Sequence, residues 1–449
     1  MIAAVIFLNL FIGIITSDIQ STKEDENRGK SKVQLKNHTV ILGWNASIIK
    51  IITELIEAND SNERAYIVIL SNKQKQEMES IIHDNISDTK TTTIKCRSGK
   101  PSVMDDLELT NYRSAKSILL LQDEDDENPD VSILKAIVAL TNSRDSMDLN
   151  IITEMTDSEM TRKVKSIAEN VIIFEKNTII SKLIAQSALQ PYLSKIHIEI
   201  TGFSGSEFYI VNGKKNNINN ALVGLTYKDI LLKFRTSCPI GYLVDNIAIL
   251  NPNPDEIFKS DYKLIVLAED DSTIKLLDGK INISNYDRVI NNNGNVVKNI
   301  LILGSNSKLS MILTEIDSYL KDNVNVTLVS QYEEEYNQLV DYINHDQFKH
   351  LKIDFTKGDI DDKQLLLKLT ENKDSVILLS YYDHNFNTQN SDAISLVSLI
   401  HLREIAKHNN RDFHIVAEMM DDRNREIIFN PNVSDFIVSS QISSSILAQ

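Results

Sequence analysis

The chain has 449 residues, 42% hydrophobic and 24% charged, the balance of a folded protein with room for roughly two to four domains. A net charge of -16, with no basic stripe, argues against a nucleic-acid partner, because phosphate binding needs a basic surface. The two cysteines, Cys96 and Cys238, form no C-x-x-C pair and no zinc spacing, which fits a reducing, cytoplasmic compartment.

Met1 to Thr16 reads MIAAVIFLNLFIGIIT and carries no charge. It lacks the basic start and small-residue cleavage site of a signal peptide. It is also shorter than the ~20 apolar residues of a full membrane span. The expectation is that residues 1–17 are the last part of a membrane helix that begins before this sequence; a buried core segment is the plain alternative. Residues 18–36 are polar and charged and read as a linker. Gly29-Lys30-Ser31 ends like a phosphate-binding loop, but Glu24 stands where its first glycine is required, and no strand precedes it.

Residues 37–190 alternate apolar runs with helical spacing. Strands are expected near Thr39–Leu42, Ala65–Leu70, Thr93–Cys96, Ser117–Leu121, Asn150–Thr153 and Val171–Phe174. Helical spacing of three and four appears in Ile48, Ile51, Ile52, Leu55 and Ile56. Continuous apolar strands separated by helices predict a doubly wound parallel sheet covered on both faces. The first strand opens on Gly43-Trp-Asn-Ala-Ser-Ile48, which keeps only the first glycine of G-x-G-x-x-G. The acid expected after the second strand is replaced by Ser71-Asn72. Gly43 and Asn45 therefore mark a degenerate nucleotide loop, and a tight turn with Asn or Ser capping the helix is the simpler reading. Acids gather after the fourth and fifth strands: Asp123, Asp125 and Asp126, then Glu154 and Asp157. These loops share the carboxyl edge of the sheet, where ligands bind, so the acids are candidate Ca²⁺ ligands. Solvated loops, with Asp157 as a helix cap, are the other reading.

Residues 191–296 change pattern. Short strand-like runs at Glu207–Val211 and Lys263–Leu267 flank the turn signals Asn251-Pro-Asn-Pro254, and predict a small α+β subdomain.

Residues 297–449 repeat the first unit. Asn299-Ile-Leu-Ile-Leu-Gly304 matches His38-Thr-Val-Ile-Leu-Gly43, a spacing of 261 residues (304 − 43). Four further pairs follow in order at nearly that offset: Cys96-Arg-Ser-Gly99 with Phe355-Thr-Lys-Gly358, Ser117-Ile-Leu-Leu-Leu121 with Ser375-Val-Ile-Leu-Leu379, Ile152-Thr-Glu-Met-Thr-Asp157 with Val416-Ala-Glu-Met-Met-Asp421, and Ile184-Ala-Gln186 with Leu447-Ala-Gln449. The repeat supplies a second degenerate loop at Gly304 and Asn306, and matching acids Asp383, Glu418 and Asp421. It has no counterpart of the α+β subdomain and reads as truncated. The fold class is thus α/β, two doubly wound Rossmann-like units in tandem with an α+β subdomain between them. No H-E-x-x-H and no G-x-S-x-G occurs, and His38 and His414 lack a partner constellation, so no enzyme chemistry is expected.

His38-Thr-Val-Ile-Leu-Gly-Trp44, Cys96-Arg-Ser-Gly99, Ala188-Leu-Gln-Pro191, Gly202-Phe203, Glu207-Phe208-Tyr209, Ile249-Leu-Asn-Pro252 and Leu267-Ala-Glu-Asp-Asp271 together resemble the gating region of the Castor/Pollux ion channels. The resemblance implies a homotetrameric membrane pore for monovalent or divalent cations. It also implies two RCK-type domains per subunit, each a Rossmann-like lobe plus a smaller lobe, assembled as a cytoplasmic gating ring from about residue 20 onward. Ca²⁺ gates some relatives, and no cofactor is certain. Two alternatives stay open: a nucleotide- or ion-sensing regulatory subunit of a potassium transporter, and a soluble Rossmann oxidoreductase.

Overall fold

The computed structural model describes residues 20, 23–123, 126, 128–142, 149–202, 205–211, 218–277, 297–331, 348–381, 388–420 and 435–448. The apolar start expected in a membrane, 1–17, lies outside them. Among the described residues, no helix is long and apolar enough to cross a membrane.

The first repeat is a six-stranded sheet: β1 (Thr39–Leu42), β2 (Ala65–Ser71), β3 (Thr92–Ser98), β4 (Ser117–Leu120), β5 (Ile151–Met155) and β6 (Val171–Glu175). All neighbours are parallel, in the order β3-β2-β1-β4-β5-β6. This is the order of dinucleotide-binding folds. Helices α1 (Ile48–Ala58), α2 (Lys75–Asn85), α3 (Met104–Glu108), α4 (Pro129–Thr141) and α5 (Ser158–Ile167) connect the strands. The central strand shows why the order holds. Val40, Ile41 and Leu42 are wholly buried, so both faces of β1 need cover, and each such side chain contributes ~1.5–3 kcal/mol. The outer strand β3 is only partly buried, with Thr93 exposed and Ile94, Lys95 and Ser98 half-buried, as befits an edge.

The second repeat copies this plan. Strands β11 (Asn299–Leu303), β12 (Val324–Ser330), β13 (Leu351–Lys357), β14 (Ser375–Leu378), β15 (His414–Met419) and β16 (Asp435–Val438) are all parallel, in the order β13-β12-β11-β14-β15-β16.

The two repeats exchange helices. Helix α6 (Lys176–Leu189) follows the last strand of the first sheet, yet its Ile180, Leu183 and Ile184 pack with Ile300, Ile302 and Ile312 in the core of the second repeat. In return, the helix Ser439–Ala448, which follows the last strand of the second sheet, packs against α1 of the first. Ser445 Oγ donates to Glu54 Oε1 there, at 3.4 Å.

Residues 29–37 are held in place. Ser98 N donates to Gly29 O, Val33 N to Leu109 O and Asn37 N to Ser114 O, at 3.1, 2.9 and 2.8 Å. Val33 is buried in the core of the first repeat, and Lys30 and Lys32 pair with Asp106 and Glu108. Residues 29–36, expected within the linker, thus run bonded along the first repeat.

Residues Lys195–Val296 form a separate compact unit. It contains most of α7 (Leu193–Thr201), an antiparallel sheet of β7 (Glu207–Ile210), β8 (Cys238–Val244), β9 (Ile247–Leu250) and β10 (Lys263–Ala268) in the order β7-β10-β8-β9, and helices α8 (Ile218–Leu222) and α9 (Tyr227–Leu231). Its core is an aromatic cluster, with Tyr242 edge-on to Tyr227 and Phe258 at 5.5 and 5.2 Å between ring centroids. The remaining helices of the second repeat are α10 (Leu309–Tyr319), α11 (Lys363–Leu369), α12 (Thr388–His408) and the exchanged helix Ser439–Ala448, here α13.

Candidate functional site

The carboxyl edges of the two sheets hold most of the residues that the sequence singles out. Gly43 and Gly304 have φ of +102° and +85°, a region that glycine enters freely. A Cβ at Gly43 would stand 2.4 Å from Leu121 O, and one at Gly304 2.6 Å from Leu379 O. Each glycine therefore lets the loop pass the neighbouring strand. Asn45 Oδ1 accepts from Ser47 N and Asn306 Oδ1 from Lys308 N, both at 3.0 Å. The asparagines close the turn before the helix, whereas the Ser47 side chain makes no cap.

In the first repeat, Asp123 Oδ1 accepts from Trp44 N at 3.1 Å, joining the loops after β4 and β1. Asp126 follows on the same loop; Asp125 lies outside the described residues. Asp157 caps α5, accepting from Glu159 N and Met160 N. Glu154 is 3% exposed, at the carboxyl end of β5. A cavity of about 250 Å³ opens beside these loops, lined by Asn72, Lys100, Ser102, Asp123, Asp126 and Lys135. It carries both charges and has no glycine cradle for a pyrophosphate.

The second repeat differs at the matching place. Glu418 is fully buried. Its Oε1 pairs with Lys308 Nζ at 3.2 Å and accepts from Ser439 Oγ at 3.0 Å. Its Oε2 accepts from Asn306 Nδ2 at 2.9 Å, and the same Nδ2 donates to Ser380 O at 2.8 Å. The oxygens of Glu418 are taken up by protein groups. Asp383 and Asp421 lie outside the described residues. Among the described residues, no three His, Cys, Asp or Glu side chains gather closely enough to hold a metal ion.

Three working acids escaped sequence reasoning. Asp130, in the first turn of α4, accepts from Thr156 N, Thr156 Oγ1 and Asp157 N, fixing the loop after β5. Asp392 does the same in the second repeat, accepting from Met420 N at 3.0 Å. Their recurrence at the repeat spacing was a usable signal. Asp435, buried in β16, accepts from Tyr192 N and His414 Nε2, both at 2.8 Å, and from Ser194 Oγ. Burial opposes its charged form, but the bonds from His414 and Ser194 outweigh burial and hold its carboxyl below the ordinary range.

Comparison with known proteins places this architecture. The model for Castor and Pollux, part of voltage-gated ion channel, matches residues 177–284. The model for the calcium-activated potassium channel slowpoke-like RCK domain matches residues 34–153. The probable ion channel POLLUX of Arabidopsis thaliana is 25% identical over 474 residues, covering 97% of this chain and 57% of that protein. Along nearly its whole length this chain is similar to the Castor and Pollux ion channels. It spans about half the length of the curated relatives it matches. The calcium-gated potassium channel TvoK of Thermoplasma volcanium is 27% identical over 239 residues, 52% of this chain and 62% of that protein. The human SLO3 gating ring superposes with a TM-score of 0.61 at 13% identity, covering 92% of this chain and 82% of that one. The chain thus has an RCK-type Rossmann-like fold built twice.

Proposed function

We propose that this chain is the ligand-sensing gating region of a cation channel of the Castor/Pollux type. The observation that carries the reading is a duplicated RCK-type fold on a chain that parallels an ion channel along 97% of its length. In this reading, residues 1–17 end a pore-lining membrane helix and residues 18–36 join it to the ring. Residues 37–190 with 191–296 form a first RCK domain, and 297–449 open a second. Four copies form a cytoplasmic ring.

The mechanism is a shift of population. A ligand that binds one ring geometry better than another moves the equilibrium by its differential affinity. Ca²⁺ is the candidate ligand, supported by the calcium-activated and calcium-gated channels named above. The first repeat is the better sensor, because Glu418 of the second is already paired with Lys308, whereas Ser47, which carries no charge, stands at the matching place in the first. Asp125, Asp157, Asp383 and Asp421 complete the candidate set. No catalytic role is assigned.

The test is single-channel recording of the complete protein in planar bilayers, with the oligomer sized in detergent. The expected result is a tetramer whose open probability changes with Ca²⁺, and whose response shrinks in Glu154→Gln. A monomer that binds and turns over NAD would overturn the reading.

A further inference from the structure

Duplication gives this molecule an internal control. Matched through their glycines, the loops after β1 and β11 place Ser47 where Lys308 stands, and the strands β5 and β15 place Glu154 where Glu418 stands. Both glutamates are buried, at 3% and 0% exposure. Among the described residues, only Glu418 pairs with a cation. Lys308 is itself 5% exposed, although it stands at the start of a helix, where positive charge is disfavoured by the helix dipole. A lysine chosen for solubility would turn outward from such a place. This one turns inward and completes a cluster with Glu418, Asn306 and Ser439.

We infer that the Lys308 ammonium is a built-in ligand: it permanently fills the cation position at the carboxyl edge of the second repeat and thereby fixes the start of the exchanged helix α13. Three segments meet at the cluster. Lys308 and Asn306 come from the loop after β11, Glu418 from the end of β15, and Ser439 opens α13. Further along, α13 lies on α1 of the first repeat. The chemical class that belongs in the position is a primary ammonium. The guest needs one positive charge, to balance one buried carboxylate, and N–H donors for its oxygens. The consequence is a division of labour: the second repeat is held in its occupied state and does not respond to added cations. The inference stands whatever the first repeat binds.

Chemical rescue tests it in the purified 449-residue chain. Lys308→Ala strips the ammonium and leaves a vacancy. It is expected to lower the melting temperature and to speed amide exchange in residues 439–448. Methylammonium should restore both, whereas tetramethylammonium, which has the charge but no N–H, should not. Wild type should gain nothing from methylammonium beyond the general effect of its salt. If Lys308→Ala does not fold, Lys308→Met with and without Glu418→Gln gives the same answer. The single variant buries an unpaired carboxylate, and the double variant, which removes both charges, should regain most of the loss. The inference is overturned if Lys308→Ala or Lys308→Met melts as wild type does, if exchange in 439–448 is unchanged, or if neither methylammonium nor Glu418→Gln recovers any stability.

Discussion

At the scale of single residues, burial decides which side chains matter. His38 is buried at the entry to β1, and its Nε2 donates to Thr110 O at 2.9 Å. Burial lowers its pKa below the ordinary 6.5, and the bond to Thr110 only partly opposes this. The folded state thus prefers neutral imidazole, and the unfolded chain takes up a proton first as pH falls. Stability from this site is present above pH 6.5 and is lost progressively below it. Denaturant melts of wild type between pH 7 and 5 should show that loss, and His38→Gln should flatten it. Gly304→Ala should cost ~1–3 kcal/mol for its positive φ alone, with the contact to Leu379 O added. A fall of less than this in the unfolding free energy would show that the turn relaxes. The glycines were legible in the sequence because φ above zero selects that residue. The Lys308–Glu418 pair was not, because a lysine after a glycine loop has the same appearance whether it faces water or a buried carboxylate.

At the scale of elements, the strands were legible because β1, β4, β11 and β14 are short, uninterrupted apolar runs, which only a sheet covered on both faces accommodates. Their ends shifted by a residue or two, as at β3, where an edge strand continues to Ser98. The partners of the helices were not legible. The apolar spacing of α6 demands burial but does not name the sheet that supplies it, and the structure shows that it is the other repeat. Ile184→Ala should therefore cost about 2–5 kcal/mol and loosen the second repeat before the first, although Ile184 belongs to the first in sequence. Hydrogen exchange resolved by peptide would show it as faster exchange in β11 and α10. Faster exchange confined to β1 and β2 would contradict the packing.

At the scale of the whole molecule, the exchange makes each repeat incomplete without the other. A piece ending at residue 190 would expose the apolar face of α6 and lack the cover that α13 gives α1. Such a piece should aggregate or remain partly unfolded, whereas residues 29–449 should unfold their two Rossmann-like repeats in one transition. Calorimetry that resolved two well-separated transitions for the repeats would refute this. The tandem plan was readable from five landmarks at one offset, but a polar stretch such as residues 29–36 gave little sign of its attachment. Its bonds are made mainly by backbone groups, which every sequence has.

That attachment bears on how motion leaves the first sheet. A floppy leash would stretch before it hauled on anything ahead of it. From Gly29 onward the chain is instead riveted in succession to Ser98, Leu109 and Ser114. A shift of β3 would therefore be handed to the chain at Gly29, through the bond that Ser98 N donates there.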